Sequence, residues 1–291
     1  GSEMCIRDRD YEGENGKYIP LGIADTDFKA PEEAIAAVRK RTEFGVYAYG
    51  ALPQERFAAS ICNWYKKRYG LTVAPETIRH SQGLMTGALW MILNAYTRPG
   101  DKVLIQAPVY HTFSIVIKGA GRFVESNDLI LEDGRYEMNF EDLEKKVADP
   151  RLRIMLICNP HNPVGRVWTK EELLEVAKIA ERHELYIISD EIHADFVYGG
   201  KHHTPMASVS EYAMEHTITA FAPSKTFNVA GLCQSYVVIP NKKLYNAYDA
   251  TYNAFDLGDN IFGMTALTAA YTKGAVSYTH LRAHETSAHL V

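Results

Sequence analysis

The alternation of short, mostly apolar runs with longer amphipathic segments constrains the fold most strongly. Each run is five or six residues long and is rich in aliphatic and β-branched side chains, which predicts strands that are buried on both faces. The predicted strands cover residues 102–106, 153–158, 185–190, 217–221 and 235–239. Such strands alternating with helices are typical of an α/β fold built on a mostly parallel sheet.

The amphipathic segments between these runs predict helices. Residues 169–184 open with Thr169, a favourable N-cap residue, and continue with acidic residues in the first turn and apolar residues at helical spacing. Further helices are predicted over residues 31–43, 53–69 and 83–97. Helices of this kind would cover both faces of the sheet.

Composition and missing motifs exclude several classes of protein. The 31 lysine and arginine residues and the 36 aspartate and glutamate residues give a formal net charge of −5, which argues against a binder of nucleic acid or anionic membranes. No apolar run approaches the roughly 18 residues of a transmembrane helix. The four cysteines lack CxxC spacing, so we expect neither a metal site nor disulfides. A reducing cytoplasm is therefore the expected location. The sequence also lacks phosphate-loop, dinucleotide, nucleophile-elbow and zinc-helix motifs. Their absence argues against a kinase, a dehydrogenase, a serine hydrolase or a metalloprotease.

The ends of the chain differ from the part between them. Residues 1–10 and 276–291 do not continue the periodicity of their neighbours, and we predict that both are non-native segments translated from vector or adapter sequence. Ordinary disordered tails are the alternative. Residues 11–52 are predicted to form an N-terminal arm and part of a small domain. Residues 53–275 are predicted to form the large domain and the start of an interdomain helix.

Three polar motifs follow predicted strands at one edge of the sheet. Asn162 lies in CNPHNPVG, Asp190 begins DEIH, and Lys225 lies in APSKTFN. The carboxyl ends of parallel strands form the ligand crevice of open α/β sheets. A lysine desolvated there would supply the free amine that a Schiff-base nucleophile requires. Each motif alone would suit an ordinary turn or a surface residue, but the three together predict a functional site.

The three motifs resemble fold type I pyridoxal-phosphate enzymes of the aminotransferase class I/II group, and in particular its MalY/PatB-type cystathionine β-lyases. The resemblance implies a mostly parallel sheet with helices on both faces and a large domain that binds pyridoxal phosphate. Because the family continues with more of the small domain, it also implies that this chain is a C-terminally truncated fragment with an incomplete small domain. Other segments that carry the resemblance are IADTDF at 23–28, GVYAYG at 45–50, APVYHTF at 107–113 and LILEDGRYEMNFEDLEKK at 129–146.

The resemblance also assigns roles around the cofactor ring. It implies that Lys225 is the catalytic residue and binds pyridoxal phosphate covalently, while Asp190 pairs with the pyridine nitrogen. Asn162 is expected to donate a hydrogen bond to the phenolate oxygen, and Tyr110 to stack on the ring. His193 stands where many aminotransferases have a tyrosine, and we expect it near the same oxygen.

A second group of residues is expected to bind the cofactor phosphate. The resemblance assigns this role to the backbone amides of Gly83, Leu84 and Met85 at a helix N-terminus and to the hydroxyl of Ser224. Tyr49 is expected to reach the phosphate of the neighbouring subunit, which implies a homodimer. A buried core tyrosine is the alternative for both Tyr49 and Tyr110.

The resemblance implies a carbon–sulfur β-lyase that cleaves cystathionine or cysteine S-conjugates to a thiol, pyruvate and ammonia. The expected partners are therefore a small amino-acid thioether and a second copy of the chain, with no metal, nucleic acid or membrane. Two alternatives stay open. A class I/II aminotransferase would use the same residues, and a pyridoxal-phosphate-binding regulatory protein would act through partner proteins.

Overall fold

A seven-stranded sheet forms the centre of the described part of the chain. The computed structural model describes residues 24–26, 28–50 and 52–274, so the predicted non-native segments lie outside it. The strands in these residues are β1 Ile78–Ser81, β2 Lys102–Ile105, β3 Phe123–Ser126, β4 Ile130–Glu132, β5 Arg135–Glu137, β6 Leu152–Cys158, β7 Tyr186–Asp190, β8 Thr217–Phe221 and β9 Ser235–Val238. Their order in the sheet is β1-β9-β8-β7-β6-β2-β3, and β4 and β5 form a separate hairpin.

The sheet confirms the predicted α/β class. Strands β3, β2, β6, β7 and β8 pair in parallel, whereas β9 runs antiparallel to both β8 and β1. All five predicted strands are present, each with bounds within one residue of those expected. Strands β1 and β3, the β4–β5 hairpin and the direction of β9 were not predicted.

Helices cover both faces of this sheet. The predicted helix at 169–184 is confirmed as Lys170–Arg182 (α6). At its start the Thr169 hydroxyl accepts from the Glu172 amide at 3.2 Å, and the Glu172 carboxylate accepts from the Thr169 amide at 2.7 Å. This capping box fixes the start of the helix. The helices are α1 Glu32–Glu43, α2 Gln54–Tyr69, α3 Trp90–Tyr96, α4 Thr112–Gly119, α5 Phe140–Val147, α6 Lys170–Arg182, α7 Glu211–His216, α8 Lys242–Ala254 and α9 Ile261–Lys273.

Strand β6 shows why the central strands read as continuous apolar runs. Ile154 and Leu156 pack into the core on the side of α3, α4 and α8, whereas Met155 and Ile157 pack into the core on the side of α5 and α6. All four side chains are buried. Apolar residues are therefore needed at every position of the strand rather than at alternate positions. In the described ranges, no helix is long and apolar enough to cross a membrane.

Gly87 sets how closely one helical run approaches the sheet. A π-helical turn at Leu84–Leu89 leads directly into α3. A Cβ atom on Gly87 would lie 2.5 Å from both the Ser81 hydroxyl oxygen and the Gln82 carbonyl oxygen. Only glycine allows this approach. The first amides of the helical run are thereby held beside the end of β1.

Candidate active site

A cavity of about 610 Å³ lies at the carboxyl ends of β6, β7 and β8, a size typical of small-molecule sites. The loops that follow these strands meet there with the start of the helical run at residue 84. The structure therefore brings nine of the ten predicted site residues together. They are Gly83, Leu84, Met85, Tyr110, Asn162, Asp190, His193, Ser224 and Lys225.

Strand register explains why distant motifs meet. Cys158 on β6 pairs with Asp190 on β7, and Asp190 pairs with Ala220 on β8. The three chain segments therefore leave the sheet side by side at the same edge. After β8 the chain turns sharply, because the Phe227 amide donates to the Pro223 carbonyl at 2.9 Å. This turn carries Lys225 over the cavity.

Asp190 is a buried carboxylate that lines the cavity. Its side chain accepts a hydrogen bond from the Ile192 amide at 3.1 Å, and the residue is 4% exposed. Burial raises the pKa of Asp190 to about 7, with the Ile192 amide opposing the rise and the nearby Glu191 charge adding to it. A carboxylate in such surroundings is costly without a cationic partner, and perturbations of this kind cluster at functional sites. The environment fits a protonated ring nitrogen of a bound cofactor.

Two further titratable groups line the same cavity as Asp190. The Lys225 amine is 3.3 Å from the Asp25 carboxylate, and both side chains are partly exposed. Burial, and then the positive charge of Lys225, lowers the pKa of His193 to about 4. His193 is therefore a neutral imidazole at physiological pH and can both donate and accept a hydrogen bond.

The ion pair between Asp25 and Lys225 was not predicted. Asp25 and Asp27 belong to the IADTDF segment, and from the sequence alone they are as consistent with turn residues as with residues of the pocket floor. The Asn228 side-chain amide donates to the Thr26 carbonyl at 2.8 Å and to the Phe28 carbonyl at 2.7 Å. These bonds hold the segment across the turn that carries the lysine. Asp27 lies outside the described residues.

The start of the helical run forms a cradle for an anion. Gly83 adopts φ +76°, a conformation that favours glycine, and the helical run continues from residue 84 to residue 96. The first amides of a helix have no acceptor within the helix, and its dipole places partial positive charge there. Leu84 and Met85 line the cavity at this point, and Ser224 lines it from the turn after β8. The arrangement fits a phosphate group.

The two predicted tyrosines occupy different places. Tyr110 is half-buried in the cavity wall, and its ring packs edge-on against Phe113 with the centroids 5.7 Å apart. Tyr49 is fully exposed and does not line the cavity of its own chain. The buried-core alternative for Tyr49 is therefore wrong. Its expected role toward a neighbouring subunit stays a prediction.

A larger cavity, of about 760 Å³, opens beside the loop between α2 and β1. Its lining includes Tyr65, Val73 and Ile239 and contains none of the predicted site residues. Cavity size alone therefore does not identify the site; the convergent polar groups do. Across the part of the chain that the structure describes, no group of three or more His, Cys, Asp or Glu side chains could hold a metal ion.

Known proteins of similar sequence point to the same kind of site. A model of the family described as aminotransferase class I and II matches residues 16–289. Cystathionine beta-lyase PatB from Bacillus subtilis is 41% identical over 257 residues, which are 88% of this chain and 66% of that protein. The chain thus spans about two thirds of the length of this curated relative.

Among the solved structures that share the fold, two illustrate the similarity. A PLP-bound putative aminotransferase from Clostridium difficile 630 superimposes with a TM-score of 0.88 and 36% identity, over 95% of this chain and 71% of that one. Cystalysin from Treponema denticola, which contains a pyridoxal 5'-phosphate cofactor, gives a TM-score of 0.86 and 33% identity, over 91% of this chain and 67% of that one.

Proposed function

Since this chain belongs to the aminotransferase class I and II family, we propose that it is the main part of a pyridoxal-phosphate-dependent carbon–sulfur β-lyase. The substrate would be cystathionine or another cysteine S-conjugate, and the products a thiol, pyruvate and ammonia. The observation that carries the proposal is the buried carboxylate of Asp190 in the same cavity as the amine of Lys225. The similarity to PatB, a cystathionine β-lyase, favours the lyase reaction.

The cavity residues divide the binding of pyridoxal phosphate among them. Lys225 would hold the cofactor covalently, and Asp190 would hold a proton at the ring nitrogen. Asn162 would donate a hydrogen bond to the phenolate oxygen, with the neutral imidazole of His193 beside it. The helix amides of Leu84 and Met85, together with Ser224, would bind the phosphate, and Tyr110 would cover one face of the ring.

The chain's own groups can carry the proton transfers of β-elimination. Pyridoxal phosphate, when bound, supplies an electron sink that stabilises negative charge at the substrate α-carbon. The amine of Lys225, once released by the substrate amine, would remove the α-proton as a general base. The electron pair of that C–H bond would form the α–β double bond as the β-carbon–sulfur bond breaks, and the departing thiolate would take up a proton to leave as the thiol. Addition of one water to the remaining enamine then gives pyruvate and ammonia.

The products decide between the lyase and the aminotransferase. We expect the purified chain, loaded with pyridoxal phosphate and given cystathionine, to release homocysteine, pyruvate and ammonia in equal amounts, because elimination couples the three. Thiol titration and a lactate dehydrogenase assay measure the products. Transfer of the amino group to an added keto acid without thiol release would instead establish the aminotransferase. Cofactor binding without turnover of either kind would favour the regulatory alternative.

The proposal includes a homodimer. Tyr49 is fully exposed, and the nearby Phe44 and Val46 are also largely exposed apolar side chains. A second copy that covered this segment would bring Tyr49 to its neighbour's cofactor. Sedimentation velocity of the loaded chain tests this, with a dimer expected and a stable monomer contradicting it. A reducing cytoplasmic location belongs to the same proposal and suits the free thiols of Cys62, Cys158 and Cys233.

Asp25 is expected to slow cofactor capture by holding the Lys225 amine. The ion pair must break before the amine can react, and partly exposed pairs are worth at most about 1 kcal/mol. Asp25→Asn should therefore speed labelling of Lys225 by about two- to fivefold. The measurement is the rate at which a borohydride-stable pyridoxyl group accumulates on Lys225 by mass spectrometry. Asp25→Glu, which keeps the charge, is the control, and equal or slower labelling of Asp25→Asn would refute the expectation.

A further inference from the structure

Asp195 is a buried carboxylate that the reaction above does not use. One oxygen accepts from the Arg68 guanidinium at 3.2 Å and from the Tyr69 hydroxyl at 2.9 Å, and the other accepts from the Thr226 hydroxyl at 2.7 Å. The residue is 1% exposed and does not line the cavity. Burial, and then the Asp195 charge, raises the pKa of Tyr69 well above its ordinary value. The tyrosine therefore stays a donor at physiological pH.

The hydrogen bond between Asp195 and Thr226 joins two segments of the candidate site. Asp195 follows Asp190 by five residues, on a turn in which the Ala194 amide donates to the Glu191 carbonyl at 2.9 Å. Thr226, on the other side of the bond, is the residue next to Lys225. The hydrogen bond therefore ties the segment that follows Asp190 to the turn that carries the lysine.

The bonds to Arg68 and Tyr69 connect the same carboxylate to the end of α2. Arg68 and Tyr69 are the last charged and aromatic residues of that helix, and Tyr69 packs against His203. A buried carboxylate needs partners of this kind to offset its desolvation. Arg68 and Tyr69 donate to one carboxylate oxygen of Asp195 from the α2 side, whereas the bond from Thr226 connects the other oxygen to the lysine turn.

We propose that Asp195 is a positioning residue, which acts through Thr226 to fix the Lys225 backbone relative to Asp190. Adjacent Cα atoms are about 3.8 Å apart, so a fixed Thr226 side chain restricts the position of the Lys225 Cα atom. Displacement of a catalytic group by about 1 Å can cost a factor of about 100 in rate. The inference rests on the proposed function for its catalytic consequence, but the anchoring of the turn does not depend on the cofactor.

Two near-isosteric variants separate positioning from a general contribution to stability. Thr226→Val and Tyr69→Phe each remove one hydrogen bond to Asp195, the first beside Lys225 and the second on the α2 side. Thr226→Ser keeps the hydroxyl and should restore the wild-type behaviour. The readouts are amide hydrogen exchange of residues 222–230 in the chain without cofactor, the rate of pyridoxal-phosphate labelling of Lys225, and Tm.

For Thr226→Val we expect exchange in this segment to speed up and labelling of Lys225 to slow, each by about tenfold or more. Tyr69→Phe, at a similar loss of Tm, should change both by less than about threefold, and Thr226→Ser by about twofold at most. Unchanged exchange and labelling in Thr226→Val, or equal effects of Tyr69→Phe, would overturn the proposal. If Thr226→Val does not fold, Thr226→Ala, which removes the same hydroxyl with a smaller side chain, takes its place with the same expectations for exchange and labelling.

The two readouts also distinguish the inference from the proposed function. If the wild-type chain acquires no label on Lys225, the proposed function fails. Hydrogen exchange in the same wild-type and variant chains still decides whether the Thr226 hydroxyl anchors the turn. Normal labelling of the wild type together with unchanged exchange in Thr226→Val would refute only the positioning role.

Discussion

Lys225→Ala is expected to abolish covalent capture of pyridoxal phosphate and to lower the rate of β-elimination by about a thousandfold or more, within the range that a positioned general base contributes. The variant loses both the amine that binds the cofactor and the base that removes the α-proton. Lys225 is partly exposed and pairs with Asp25 across the mouth of the cavity, so its removal should leave the fold intact. Borohydride reduction followed by peptide mapping measures capture, and pyruvate release measures turnover.

Lys242→Ala is the matched control for this experiment. Lys242 is the exposed first residue of α8 and lines the cavity beside the α2–β1 loop rather than the candidate site. We expect this variant to keep wild-type capture and turnover. A small primary amine added to Lys225→Ala should restore part of the elimination rate, since it can replace the missing base. Wild-type turnover by Lys225→Ala, or a label of equal yield on another lysine, would remove Lys225 from the mechanism.

The central strands could be predicted because their burial leaves a local signal. Each side of β6 packs into a different core, so its sequence is apolar throughout. Edge strands leave a weaker signal. β3 forms one edge of the sheet, and its Phe123 is largely exposed while Glu125 pairs with Lys102. Mixed polar and apolar residues in so short a segment do not distinguish a strand from a loop.

The direction of β9 has a local cause that the apolar pattern does not reveal. A parallel connection needs a crossover of a dozen or more residues, usually a helix, to return to the starting edge. Between β8 and β9 the chain instead forms the turn that carries Lys225 and a short 3₁₀ segment at Ala230–Leu232. It stays at the edge of the sheet that holds the cavity, so β9 must run back antiparallel to β8.

The site also has a part that the sequence predicts and a part that it does not. Asn162, Asp190 and Lys225 could be predicted because each follows a strand that is recognisable from its sequence, and parallel strands bring such positions to one edge. The contact of Lys225 with Asp25 joins residues 200 positions apart, and that of Thr226 with Asp195 joins residues 31 apart. Neither pair has a periodicity or spacing that marks it. Tertiary packing alone determines these partners, so the sequence did not predict the contacts that hold the lysine.

Asp190→Asn is expected to make the chain more stable without cofactor at pH 8, and no more stable at pH 4. The pKa of Asp190 is about 7 in the fold and ordinarily 3.8, so the folded state binds this proton more tightly than the unfolded state. The contribution of Asp190 to the free energy of unfolding of the wild type therefore falls as the pH rises from about 4 to about 7. Asparagine resembles the protonated form at every pH. With about 1.4 kcal/mol for each unit of pKa, the advantage of the variant should reach up to about 4 kcal/mol at pH 8.

Urea unfolding of wild type and Asp190→Asn at several pH values measures this difference, and a constant difference from pH 4 to pH 8 would contradict it. Ser208→Ala, a change on the short helical turn at Met206–Ser208 away from the cavity, is the control and should give such a constant difference.

The same substitution should reverse the order of stability once pyridoxal phosphate is added. A cation at the ring nitrogen offsets the cost of the buried charge in the wild type, whereas asparagine cannot hold a proton there. Turnover should fall by about 100- to 1000-fold, as when a preorganised electrostatic partner is removed from a catalytic site. A residue that destabilises the empty fold and stabilises the loaded one has its explanation in the ligand rather than in packing. Equal gains in Tm from the cofactor in wild type and Asp190→Asn would exclude that explanation.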